Sequence, residues 1–164
     1  MSKRDDSKLL NYTTEIDAMK TAGEIIGILA TNGAQSVMID YQDGEPVGLA
    51  FQIGINGRNI GFRLPCNIQG AFDAMKRDHQ IPPRYKNLLQ AKRTAWRILK
   101  TFVEVQIALI KCGQVEMAEA FFAYMIVSPR QTLFQAFKEN PARMLSAGTL
   151  EDDQSNVVEG KFAS

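Results

Sequence analysis

Residues 36–64, SVMIDYQDGEPVGLAFQIGINGRNIGFRL, decide the fold. Val37, Ile39 and Tyr41 alternate with Ser36, Met38 and Asp40; beyond Asp43-Gly44, Leu49, Phe51 and Ile53 alternate with Ala50 and Gln52. A period of two sends one set of side chains to a core and the other to solvent, which is how a half-buried strand reads. Asp43-Gly44 and Asn56-Gly57 break the alternation, and both dipeptides tolerate the positive φ angles that a two-residue hairpin turn demands. After the second break Ile60, Phe62 and Leu64 face one way and Asn59, Gly61 and Arg63 the other. The stretch therefore predicts three antiparallel strands in a meander, stopped by Pro65.

Upstream, Thr13 to Asn32 places Ile16, Met19, Ala22, Ile26, Leu29 and Ala30 at three- and four-residue steps, a helical face closed by Asn32-Gly33. Downstream, Asn67 caps a short helix carrying Ile68, Ala71, Phe72 and Met75, and Pro82-Pro83 forces a loop over Asp78 to Tyr85. The longest helix is expected from near Lys86 to about Lys111, with Leu88, Ala91, Ala95, Ile98, Leu99, Phe102 and Leu109 turned to the sheet. A fourth helix would carry Val115, Ala118, Phe121, Phe122 and Met125. A fifth would start at Ser128-Pro129-Arg130-Gln131 and dock through Leu133, Phe134 and Phe137, with one further turn over Ala142 to Leu145. Phe51, Phe62, Phe72 and Phe102 also fit core positions.

The expected class is thus α+β: an N-terminal helix, a three-stranded antiparallel meander, then a helical C-terminal half with one long amphipathic helix. Residues 1–12 read as a flexible N-terminus, 13–145 as a single α+β domain and 146–164 as a flexible acidic tail holding Glu151, Asp152, Asp153 and Glu159. In 164 residues, 45% hydrophobic and 23% charged, no apolar run approaches the ~20 residues of a membrane span. A cytoplasmic protein without membrane contact is the expectation, and two cysteines, Cys66 and Cys112, suggest reduced thiols rather than a disulfide framework.

Charge is segregated. Ten Lys and Arg against Asp73 and Asp78 give residues 54–100 a local charge of +8 within a chain of net +1. Clustered cations without acidic neighbours are the footprint of phosphate binding. On the long helix Lys86, Arg93, Arg97 and Lys100 share one face at spacings of seven, four and three, and Glu104 is that helix's one carboxylate. Arg63, Arg58 and Arg84 would extend the track, as would Lys76-Arg77. A single strand is gripped by cations on phosphate and aromatic rings under bases, and Tyr85, between Arg84 and Lys86, is the stacking candidate. Trp96 lies instead on an apolar shoulder with Leu89, Val103, Ile107 and Ile110, a stripe needing cover from later helices or from another subunit. A homo-oligomer through Trp96, Val103 and Ile107 is one expectation, and a protein partner for the acidic tail another.

No pattern specifies a reaction. His79 is the one histidine and lacks the neighbours of a triad; Asp40, Asp43 and Glu45 suit turn chemistry; Gly54, Gly57 and Gly61 match no nucleotide-binding loop. No catalytic residue, metal or cofactor is expected.

The run QAKRTAWRILK at 90–100, following FRLP at 62–65, resembles small uncharacterised proteins of tailed phages and prophages, from about the first helix to Phe137. Helix, meander and long basic helix are similar in order to the core of single-strand annealing proteins, which form rings or filaments and hold DNA along a basic groove. The resemblance implies single-stranded DNA binding or annealing in phage replication or recombination. The alternative is a non-enzymatic interaction or assembly module, such as a phage-encoded modulator of a host enzyme.

Overall fold

The computed structural model describes residues 8–148. The expected acidic tail lies outside them from residue 149 on, as do residues 1–7 of the expected flexible N-terminus. The architecture is α+β. Helix α1 (Ala18–Thr31) is followed by strands β1 (Ser36–Gln42), β2 (Glu45–Ile55) and β3 (Arg58–Leu64), antiparallel in the order β1-β2-β3. Both turns are built as their dipeptides require: Asp43 and Gly44 have φ of 51° and 77°, Asn56 and Gly57 50° and 76°. Positive φ at both central residues matches the right-handed twist of the flanking strands. Register puts Phe51 opposite both Val37 and Phe62, and Leu49 opposite both Ile39 and Leu64.

Helix α2 (Ile68–Arg77) takes its cap from Asn67, whose side chain accepts from Gly70 N. A 3-10 turn at Pro83–Tyr85 leads to α3 (Leu88–Lys111), 24 residues capped by Asn87. Lys86 therefore precedes the long helix instead of opening it. Leu49, Phe51, Ile53, Phe62 and Leu64 meet Ala22, Ile25 and Leu29 of α1 and Trp96, Leu99, Val103 and Ile107 of α3 in one core closed by Phe121. Phe51 stacks on Phe62 at 5.2 Å and meets Phe121 edge-on at 5.2 Å. Burying a phenylalanine of this kind contributes about 2 kcal/mol.

The buried side of α3 is rotated from the expected arc. Leu88 is exposed, whereas Trp96, Val103 and Ile107 are enclosed by the chain's own core, with the Trp96 indole N–H donating to the Pro46 carbonyl at 3.1 Å. These three leave no open stripe, which removes the basis for an oligomer built on them. The N-terminal part of α3 buries polar groups too: Gln90 Nε2 donates to the Tyr12 and Thr14 carbonyls, both at 2.8 Å. Residues 9–14 are thereby strapped across the start of the helix, and Leu9, Tyr12, Phe72 and Tyr85 pack around a second small core of Met75, Ile81 and Ala91.

Helix α1 is rotated as well. It buries Ala18, Thr21, Ala22, Ile25 and Leu29, leaving Met19 and Ile26 exposed. AMKTAGEIIGILAT is apolar nearly all round, so periodicity alone could not choose the face.

The C-terminal part departs most. The expected fourth helix is one turn, α4 (Met117–Ala120), followed by a 3-10 turn at Phe122–Tyr124 and a hairpin of β4 (Ile126–Ser128) and β5 (Gln131–Thr132). Ser128 ends a strand and Pro129 begins its turn, a position that suits the fixed φ of proline as well as a helix start does. The cap belongs to Thr132, in a reciprocal box with Gln135 that opens α5 (Leu133–Glu139). Helix α6 (Pro141–Gly148) is longer than the expected single turn. Phe121 is core, but Phe122 and Phe134 are each 55% exposed, against expectation.

Candidate nucleic-acid interface

The outward face of α3 is sealed by α1. Arg93 donates from Nε and Nη2 to Asp17 Oδ1 at 3.0 and 2.8 Å, and Arg97 Nη1 lies 2.6 Å from Glu24 Oε2. Lys100 Nζ reaches Glu24 at 3.2 Å and Glu104 at 3.0 Å. Burial by itself would push the Glu24 carboxyl upward, but hydrogen bonds from Lys100 and then Arg97 outweigh it and hold the group below its ordinary range. Lys100 is held above its ordinary range by its bond to Glu104, then by Glu24, against opposing burial. The missing acidic partners of the basic face were thus on another helix. Arg97 and Lys100 are only 19% exposed, and α1 is fixed by the core on its other side, so nothing frees these cations for a ligand.

The junction of α2 with α3 is different. Lys86 Nζ donates to the Lys76 carbonyl at 3.4 Å, which brings Lys86 onto the C-terminal end of α2, where backbone carbonyls favour a cation. Arg84 lies over the Tyr85 ring, 4.9 Å from its centroid, and Nη2 donates to the Tyr85 hydroxyl at 3.3 Å. Tyr85 meets Tyr12 edge-on at 5.4 Å, and Lys8 stands 5.8 Å over Tyr12. Lys76 pairs with Asp73 at 3.0 Å and covers Phe72 at 4.4 Å. Arg77, Arg84 and Lys86 have no carboxylate within salt-bridge reach among the described residues.

Of the eight expected contact residues, Arg84, Tyr85 and Lys86 gather at this corner, while Arg93, Arg97 and Lys100 are tied to α1. Arg63 projects from β3 opposite to buried Phe62 and Leu64, hence away from α3, and Arg58 sits exposed at the β2–β3 turn. The structure does not bring those two to either helix face. Lys8 and Tyr12 are the additions, and Arg77, already expected to extend the track, stands with them. Arg77 was signalled by its place at the end of α2; the tyrosine contact was not, because Tyr12 and Tyr85 are 73 positions apart.

A mainly apolar pocket of about 460 Å³ lies between α2 and α3, lined by Cys66, Ala71, Ala74, Ala95 and Phe102 among others. Burial pushes the Cys66 thiol up to about 12, which favours its protonated form. Among the described residues no group of three or more His, Cys, Asp or Glu comes together to hold a metal, and no helix is long and apolar enough to cross a membrane. Compared with protein-family models, curated proteins and solved structures, the chain matches none.

Proposed function

We propose that the protein is a nucleic-acid-binding accessory protein that takes single-stranded DNA at the α2–α3 corner. What carries the reading is one arrangement: Arg77, Arg84 and Lys86, without carboxylate partners, beside the Tyr12–Tyr85 pair. Unneutralised cations release counterions from a phosphate chain, and an arginine plane resting on a tyrosine ring offers a surface on which an unpaired base stacks. A duplex keeps its bases inside and gains only the phosphate contacts. The setting in phage replication or recombination rests on the order of helix, meander and long basic helix, which is similar to that of single-strand annealing proteins.

Titration of fluorescent single- and double-stranded oligonucleotides across a salt series tests this. Single strands should bind more tightly, with log K falling against log salt by about 0.7 for each phosphate neutralised, or about 2 for three cations. Absence of salt-sensitive binding sinks the proposal. A second reading, an interaction or assembly module, is favoured by the half-exposed Phe122, Val127 and Phe134, an apolar group on adjoining elements near the C-terminal end of the described chain.

A further inference from the structure

The two edges of the sheet are treated differently. Beyond β3, Met125 bridges to Phe62, and Arg58 and Arg63 supply charge. Beyond β1 there is nothing: its outward N–H and C=O groups find no partner among the described residues. Natural edges are commonly blunted by lysine, proline or a bulge. β1, SVMIDYQ, has no lysine or proline and one charge, Asp40. The irregularity beside it lies in β2, since Asp40 faces Gly48 and Tyr41 faces Pro46, leaving Val47 as the extra residue. The free edge itself therefore carries no extra residue along its seven positions.

Helix α1 continues the same side of the molecule. On a wheel of 100° per residue, Glu24, which reaches α3, and the exposed group Met19, Ile26 and Ala30 lie on opposite sides of the helix, with the sheet-facing residues between them. The exposed group thus looks out past the β1 edge. Tyr41 of β1 confirms the adjacency, its hydroxyl lying 3.7 Å from the Met19 sulfur. On this face Met19 is 48%, Tyr41 55% and Ile26 37% exposed, while Met38, 62% exposed, stands on the opposite face of the sheet. With Glu24 engaged, Lys20 is the one charge left on the open part of this helix. A solvated helix is not built this way.

We infer that this side pairs with a second copy of the chain, β1 against β1 antiparallel about Ile39, with the two α1 faces meeting beneath the joined sheets. A two-fold contact requires a patch that tolerates its own image, and this one sets no like charges opposite each other. Pairing about Ile39 sets Val37 opposite Tyr41 of the other copy and Met38 opposite Asp40, so the single acidic residue never meets itself. The row of backbone donors and acceptors specifies a strand as occupant, and the flanking Met19 and Ile26 supply the apolar area that strand pairing alone lacks.

Light scattering of the full chain over a concentration series, with amide hydrogen exchange of β1, tests the inference without any oligonucleotide. Twice the monomer mass is expected, with β1 amides protected at high concentration and released on dilution. Met19→Glu with Ile26→Glu, at positions already open to water, should raise the dissociation constant at least 100-fold while the far-ultraviolet circular dichroism stays unchanged. A wild-type chain that stays monomeric at high micromolar concentration overturns it, as does a dimer indifferent to the double substitution. A monomer with protected β1 amides would assign the edge to a segment outside the described residues and overturn it equally. Should the variant fail to fold, the wild-type exchange pattern alone decides.

Discussion

Two basic regions share the middle of this chain, and the structure gives them opposite fates. On α3, Arg93, Arg97 and Lys100 look outward in sequence but are joined to Asp17, Glu24 and Glu104. At the α2–α3 corner, Arg77, Arg84 and Lys86 are equal in number and less regular, yet none has a carboxylate within salt-bridge reach among the described residues. Regular spacing on a helix reports which residues share a face; it says nothing of what packs there. For an anionic partner the open corner matters more than the ordered row.

The comparison can be broken most directly at the corner. Arg84→Ala with Lys86→Ala should weaken single-strand binding about tenfold or more and lower the salt slope by about 1.4, with stability nearly unchanged. Equal affinity in that variant would remove the corner from consideration. Next in size, Glu24→Gln should cost about 1–2 kcal/mol in denaturant unfolding, because it leaves Arg97 and Lys100 facing each other without their shared anion. The same change removes their shared anion but leaves both cations beneath α1 and Lys100 still paired with Glu104, so oligonucleotide affinity should stay within twofold; a clear rise would show that α1 does not seal this face.

Acid sharpens the contrast. The Glu24 carboxyl is held below its ordinary value of 4.5 in the folded protein, so its contribution is whole above that value and is lost as pH falls through the folded one. Wild type should therefore lose more stability than Glu24→Gln as pH falls below 4.5 in parallel urea titrations. Matching profiles would mean that the carboxylate is not stabilising. Smallest is Arg93→Ala, expected to cost about 0.5 kcal/mol, because its partner Asp17 is 69% exposed and water screens the pair. In the same binding assay it should leave affinity within twofold; a larger loss would restore the α3 face as a contact surface.

Where structure follows from neighbours in the chain, the sequence could be read. Asp43-Gly44 and Asn56-Gly57 specify their turns with two residues each, and the alternation of Leu49, Phe51 and Ile53 fixes which face of the sheet is core. Asn67 was legible as a cap for the same reason. Helix α1 was legible as a helix but its buried face was not, because an almost uniformly apolar segment has no preferred face until something packs on it. The β4–β5 hairpin was missed because strands of three and two residues carry too little alternation, and Pro129 serves a turn as readily as a helix start. At the site, the cation cluster was visible as composition, but its division into sealed and open parts depends on Asp17 and Glu24, which lie 76 and 73 positions from their partners.

That separation also bears on time. The meander closes through turns of two residues, so its contacts can form early, when little chain entropy opposes them. The ion pairs between α1 and α3 await closure of a loop more than seventy residues long. Interactions made that late are absent from the folding barrier and act on escape from the native state. Loss of Glu24 should accordingly leave the refolding rate nearly alone and shorten the lifetime of the folded molecule, so the ionic seam acts as a latch on a structure already assembled.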